Sequence, residues 1–267
     1  MLNDKDQDAY FDRLAYTGPR TASLPVLTAL HQAHLQHIPF ENLDISLGRK
    51  LNLSPSALLD KVSHKKRGGF CYELNHLFGL LLESLGFAVS RLSAKVFNGQ
   101  QYGPDFDHML LLVKTEGQSW LADVGFGDCF RTPLSLHGDG VHELGMHYSL
   151  QAGEGGQLVL MQARDGAAAH PEYCFSLRDH AIEDFYDMCL YQQTSPASHF
   201  TQKSICSIAT PDGRISVSNN KCIMTRTADR HVHSIADEAE YRQILREHFG
   251  VNLDAGADIK RLMARHS

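Results

Sequence analysis

The chain has 267 residues, 43% of them apolar, enough to bury a sizeable core in one to three compact units and to exclude disorder over most of its length. Twenty-five lysines and arginines stand against 31 aspartates and glutamates, a formal charge of -6 with no long block of one sign, so the basic face that a nucleic-acid binder needs is missing. No apolar run reaches the roughly 18 to 20 residues of a membrane helix, and the opening MLNDKDQDAY is acidic where a signal peptide is basic and then apolar; the expectation is a cytoplasmic protein with no membrane partner.

Helices come first along the chain. Tyr10, Phe11 and Leu14 mark an amphipathic helix stopped at Thr17-Gly18-Pro19, and Leu24, Leu27, Leu30, His31, His34 and Leu35 form a second stripe that Pro39 ends. Ser54-Pro55 reads as an N-cap followed by proline in the first turn, opening a helix with Leu58, Leu59 and Val62 on one side. From Cys71, the residues Leu74, Leu77, Phe78, Leu81 and Leu85 recur at spacings of three and four until Gly86 closes the helix. The middle then changes period. Leu92, Ala94 and Val96, HMLLLV from His108, WLADV from Trp120 and QLVLMQ from Gln157 predict antiparallel strands, and the glycine-rich stretches at 137–140 and 152–156 predict turns, as in a meander or small barrel. SICSIAT and GRISVS read as further strands, and Tyr241, Ile244, Leu245 and Phe249 share a helical face before Gly250.

The chemistry concentrates in RGGFCYELN, residues 67–75, where a loop with two glycines turns into the firmest helix. A helix N-terminus offers unpaired N-H groups and a partial positive charge that favour a thiolate, which is the nucleophilic form of Cys71. Such a cysteine needs a base, and the base an orienting group. If 115–118 is the turn between strands 108–114 and 119–124, paired residues sum to 233, and His108 and Asp123 become diagonal neighbours on one face, about 7 to 8 Å apart at the backbone. Cysteine, histidine and aspartate then follow the order of papain-type chemistry. The other cysteines, 129, 174, 189, 206 and 222, lack a glycine turn at a helix start; Cys129 is expected to border the cleft and the rest to be core or surface thiols. With no CxxC pair and no HExxH among 16 histidines, neither a disulfide scaffold nor a metal site is expected.

RGGFCYELN, HMLLLV from His108 and DVGFG from Asp123, together with IPFENLD from Ile38 and SPASHF from Ser195, resemble the arylamine N-acetyltransferases, in family order across residues 38–200. The resemblance implies an α+β fold in three parts: a helical bundle over 1–86 carrying the nucleophile, an antiparallel β-barrel over 87–190 carrying the histidine and aspartate, and an α/β lid over 191–267. It implies ping-pong acetyl transfer from acetyl-CoA to an aromatic amine, hydrazine or N-hydroxyarylamine, with Cys71, His108 and Asp123 as catalytic triad. Phe40, Val96, Phe126 and Phe200 match positions lining the acceptor pocket that would otherwise be read as core, Val96 equally so, and Gly125 and Gly127 are expected to leave room for CoA or substrate. Lys65, Lys66 and Arg67 read as a solvated charge run or as partners for CoA phosphates. Where some members carry a cation after VGFG, this chain has Asp128. A papain-like or transglutaminase-like enzyme acting on proteins, a macrolactam-forming amide synthase and a non-enzymatic binding module are the competing readings.

Overall fold

The computed structural model describes residues 1–227 and 229–264. Helix α1 (Asp4–Leu14) starts where the Asn3 side chain accepts from the Asp6 amide, and buries Tyr10, Phe11 and Leu14. Helix α2 (Leu24–His37) buries Val26, Leu27, Leu30, His31 and His34 and stops two residues before Pro39. The chain then makes β1 (Phe40–Glu41), α3 (Leu43–Ser46) and α4 (Pro55–Leu59), which runs on into a π-helical turn, Asp60–His64. Helix α5 (Cys71–Ser84) is buried at every position from Cys71 to Leu82, so it is the central rod of the molecule and not a surface helix. A β-carbon on its glycine, Gly79, would already stand in van der Waals contact with Leu111 and Val89, so the strands that follow lie close on the helix.

Those strands are β2 (Ala88–Val96), β3 (His108–Thr115), β4 (Gln118–Ala122), β5 (Leu134–Ser135), β6 (Val141–Glu143), β7 (Met146–Ala152), β8 (Leu158–Arg164) and β9 (His170–Phe175). They form one antiparallel sheet in the order β5-β4-β3-β2-β9-β8-β7-β6, curled into a nearly closed barrel. Leu92, Leu110, Leu121, Phe130, Tyr148, Leu160 and Tyr173 fill its interior, while Met109, Leu111 and Val113 on the other face of β3 pack on α5. This two-sided burial explains why HMLLLV is a continuous apolar run and not an alternating one. The β3–β4 register runs from Thr115↔Gln118 to Leu111↔Ala122, the sum of 233 expected from the sequence. The ladder ends there, and His108 pairs instead with Ala94 on β2.

Helices α6 (Tyr186–Thr194) and α7 (His199–Gln202) lead into β10 (Ile205–Thr210), β11 (Gly213–Ser218), β12 (Lys221–Arg226) and β13 (Asp229–Ser234), followed by α8 (Glu238–Phe249) and α9 (Ile259–Met263). The second sheet has the order β1-β10-β11-β12-β13, so a two-residue strand from the first fifth of the chain is sewn onto its edge through Phe40↔Ser207 and Glu41↔Cys206. Tyr241, Ile244, Leu245 and Phe249 pack α8 against this sheet, the face that the apolar spacing defines. Among the described residues, no helix is long and apolar enough to cross a membrane.

Candidate active site

Glycines 68 and 69 bring Cys71 to its place by the space they leave. A β-carbon on Gly68 would lie 1.8 Å from the Pro39 carbonyl oxygen, because Gly69 runs beside Phe40 and its carbonyl accepts the Glu41 amide at 2.8 Å. Neither glycine has positive φ, so close backbone approach, and not turn conformation, requires them. Glu73 reaches back to the Phe70 amide at 3.2 Å and caps the first turn of α5.

Arg67 occupies neither of the positions expected for it. It is buried, donates from Nε and pairs through Nη2 to Glu41 Oε1 at 2.9 and 2.7 Å, and meets Asp44 at 3.1 Å. Lys61 bridges Asp44 and Glu73 at 2.8 Å each, completing a buried network of two cations and three carboxylates under the start of α5. Burial opposes both cations, but the carboxylates raise the Lys61 and Arg67 pKa above their ordinary values. Arg67 is therefore unavailable to phosphates, whereas Lys65, paired with Asp60, and Lys66 are exposed as a solvated run would be.

Asp123 leaves the end of β4 fully enclosed. Its Oδ2 receives His108 Nε2 at 2.7 Å and the Tyr173 hydroxyl at 3.1 Å; its Oδ1 receives Asn75 Nδ2 at 2.9 Å and the Gly125 amide at 3.0 Å. Burial alone would raise the carboxyl pKa, but His108 and these donors more than offset it, and the net shift is downward. Asn75 also donates to the Met109 carbonyl at 2.6 Å and accepts the Val124 amide at 2.9 Å, tying α5, β3 and the 123–127 loop together. Asn75, Tyr173 and His31, whose ring accepts the Asp123 amide, are the parts of the site that sequence reasoning missed; only Asn75 had a positional signal, one helical turn after Cys71.

A cavity of about 370 Å³ opens beside this cluster, and Cys71 and His108 both line it. Because Nε2 is held by Asp123, Nδ1 is the ring nitrogen left free to serve the cavity. Phe40, Val96, Phe126 and Phe200 all line the same space, as does Gly125. Phe126 stands edge-on to the His108 ring at 5.0 Å, and Phe200 edge-on to Phe70 at 5.4 Å. Asn42, Asp107, Gln192, His199, Lys203 and Ile205 complete the wall. The two loop glycines serve packing: a β-carbon on Gly125 would meet Cys71 Cα and Asn75 Nδ2 at 2.7 Å, and Gly127, at φ +98°, lies under the Phe40 ring. Cys129 borders a different cavity, with Asp128, Arg131 and Arg214, and Asp128 is held by Arg214 at 2.9 Å.

Burial opposes the help that the helix terminus was expected to give the thiolate. Burial pushes the Cys71 thiol well up, opposed by the Met109 backbone amide and reinforced by nearby acidic groups, Asp123 and Asp107 among them. A thiolate here would need a proton acceptor, and the imidazole that lines the same cavity is that of His108, bonded to an Asp123 carboxyl held below its ordinary pKa. All six cysteines are free and buried, and the described residues contain no cluster able to hold a metal ion.

A buried His-Asp pair and a cysteine at a helix start, with Cys71 and His108 lining one largely apolar cavity of an α+β scaffold, have the composition of a thiol-dependent acyl-transfer site. The profile of the N-acetyltransferase family matches residues 23–258. Arylamine N-acetyltransferase 2 of Mus musculus is 32% identical over 98% of this chain and 97% of its own length, and arylamine N-acetyltransferase / N-hydroxyarylamine O-acetyltransferase of Salmonella typhimurium is 32% identical over 92% and 89%. The solved arylamine N-acetyltransferase of Salmonella typhimurium superimposes with a TM-score of 0.89 at 30% identity, covering 98% of this chain and 97% of that one. The Mycobacterium marinum enzyme, solved in complex with CoA, gives 0.87 at 30% identity over 97% of each chain. The chain belongs to the arylamine N-acetyltransferase family of acyltransferases.

Proposed function

We propose that this protein moves an acetyl group from acetyl-CoA to an aromatic amine, hydrazine or N-hydroxyarylamine by a ping-pong route through a thioester on Cys71. The observation that carries this reading is the buried His108-Asp123 pair at the wall of the cavity that Cys71 lines. His108 takes the Cys71 proton at Nδ1 as the sulfur attacks the donor carbonyl, and Asp123 holds the imidazole and stabilises its charged form. First-turn amides of α5, at Cys71 and Tyr72, lack intrahelical acceptors and are the donors available to the oxyanion. CoA leaves as the thiol with the proton from His108, and the acceptor amine enters the same cavity. As it attacks the thioester carbonyl, its proton passes to His108 and the Cys71 sulfur departs.

Phe40, Val96, Phe126 and Phe200 suit a flat aryl acceptor, and an enclosed space of this size suits an amine better than a polypeptide strand. CoA phosphates require cations and N-H donors, and Lys203, with the His199 ring on the same cavity wall, is exposed and fits them better than the buried Arg67. The division into units 1–86, 87–190 and 191–267 follows the change from helices to barrel to the second sheet, and six unpaired thiols agree with a cytoplasmic setting.

Incubating the protein with acetyl-CoA without acceptor, followed by intact-mass spectrometry and peptide mapping, tests the reading. One added acetyl group on the peptide containing Cys71, lost in Cys71→Ala and discharged by an arylamine, is the expected result. A label on Cys129, or no label, overturns it.

A further inference from the structure

We propose that Asp107 is a specificity-determining residue that makes the acceptor cavity favour aromatic amines carrying a second, cationic or N-H-donating group and disfavour acceptors carrying a carboxylate. The inference rests on the acetyl-transfer reading above and deepens it. Asp107 precedes His108 at the start of β3 and lines the same cavity as Cys71. Its carboxylate is half-buried, and Gln192 donates to Oδ1 from Nε2 at 2.7 Å. The Gln192 amide has its orientation fixed: it is buried, and its Oε1 bonds the Ser198 hydroxyl, so its nitrogen faces Asp107.

A carboxylate accepts about four hydrogen bonds, and the two neutral donors on Asp107, the Gln192 side chain and the Val96 amide, leave part of that capacity unused. Gly103 lies against Oδ2, where a β-carbon would come within 2.5 Å, so the loop is shaped around this side chain. Burial raises the Asp107 pKa, with His108, the Val96 amide, His199 and Gln192 pulling it down, and its charge in turn pushes the Cys71 thiol up, which places it within electrostatic reach of the reacting sulfur. Lys203 on the same wall is exposed, so that cation is turned towards solvent while the Asp107 carboxylate is the more buried charge. An acceptor with a cation or donor at its far end gains a charge-assisted hydrogen bond; an acceptor with a carboxylate places like charges together in an enclosed space.

The test is a competition series of nearly isosteric acceptors, 3- and 4-aminobenzamidine, 4-aminobenzamide and 4-aminobenzoate, with kcat/KM for each in the wild-type protein, Asp107→Asn and Asp107→Ala. Loading of Cys71 by acetyl-CoA is followed by intact mass in every variant. The wild-type protein is expected to prefer amidine to carboxylate, and both variants to lower that ratio about tenfold or more. The ratio cancels any effect of the substitution on the loading step. A ratio unchanged in both variants that still load Cys71 overturns this inference and leaves the acetyl-transfer reading standing, whereas a wild-type protein that never loads Cys71 overturns both.

Discussion

The backbone N-H of Asp123 donates to Nε2 of His31 at 3.0 Å, across 92 residues of chain. Nδ1 of His31 bonds the Arg131 carbonyl at 2.9 Å, so this nitrogen carries the proton and Nε2 is the acceptor. The ring also lies flat against Phe130, with centroids 5.7 Å apart and planes 4° from parallel. His31→Ala strips the Asp123 amide of its partner and leaves a void between α2 and the barrel. The expected cost is about 2–4 kcal/mol in urea unfolding, from an unsatisfied buried N-H plus a cavity, with turnover reduced as the carboxylate loses its anchor. An unchanged unfolding midpoint excludes the anchoring role.

Asp123→Asn keeps the shape of the site and removes its charge. Four donors converge on the carboxylate, and an amide nitrogen must face at least one of them. The imidazolium formed when Cys71 gives up its proton loses its counter-charge, and the wrong His108 tautomer is favoured. Loss of such a carboxylate in a triad commonly costs up to about 10⁴ in turnover, and here single-turnover acetylation of Cys71 should slow by at least about a hundredfold. Acylation at the wild-type rate rules out Asp123 as the orienting group.

Much of this was legible in the sequence where local pattern decides structure. Apolar spacing placed α5, and the turn at 115–118 set the β3–β4 register over 111–115; His108 and Asp123 lie just past the end of that ladder, where their side chains meet at 2.7 Å. Partners chosen by tertiary folding were not legible. Arg67 sits in the run Lys65-Lys66-Arg67 and looks solvated, because its carboxylate is Glu41, 26 residues away on a two-residue strand too short to leave a pattern. Strand β13 is exposed along its whole length and polar but for Val232, so no burial period marked it; pairing with β12 alone makes it a strand. The helix start at Cys71 was legible, but the depth at which the thiol is buried, which pushes its pKa up, was not.

The buried ion network makes a prediction about stability. Glu41→Gln removes the charge that Arg67 Nε and Nη2 both address and leaves the guanidinium with Asp44 as its remaining carboxylate partner. Breaking one partner of a buried pair typically costs about 3–5 kcal/mol, so a loss of that size is expected in denaturant titration. Arg67→Lys should not rescue fold stability, because an ammonium lacks the fork that spans Glu41 and Asp44. A Lys variant as stable as the wild-type protein removes the geometric argument.

Acid should destabilise the fold before the carboxylates titrate. His76 is buried, accepts from Arg91 Nε at 3.1 Å, and has its pKa lowered to about 3 by burial and by the Arg91 charge; His31 and His34 are lowered as well, first by burial. A histidine depressed in the folded state is neutral there while the unfolded chain binds its proton below about pH 6.5. The unfolded state then holds more protons, stability falls as pH drops from about 6.5, and the fall ends for each group only below its folded pKa. Each such histidine contributes a slope of up to about 1.4 kcal/mol per pH unit. Glu73 and Asp107, raised in the folded state, act in the opposite direction. Urea unfolding of His76→Gln at pH 7 and pH 5 should show a shallower loss than the wild-type protein; equal losses refute the assignment.

The loop after Asp123 is pressed onto the nucleophile's own backbone, and Gly125 is what permits it. Its φ is outside the left-handed region, so alanine suits the backbone there, and the obstacle is space: a β-carbon would stand 2.7 Å from Cys71 Cα and 3.2 Å from the Cys71 carbonyl oxygen. Neither atom can yield, because both belong to the first turn of α5. In Gly125→Ala the loop must retreat, carrying Asp123 and Phe126 away from His108 and the sulfur. A displacement approaching 1 Å at reacting groups costs about a hundredfold, so kcat/KM should fall at least about tenfold in a protein that still folds. Gly117 in the β3–β4 turn is the control: at φ +74° with nothing near its β-carbon position, alanine there is strained but touches nothing in the site. Gly117→Ala should cost about 1 kcal/mol of stability with kcat/KM unchanged. If both variants lose activity in proportion to stability, the close approach of Gly125 to Cys71 has no special part in holding the triad.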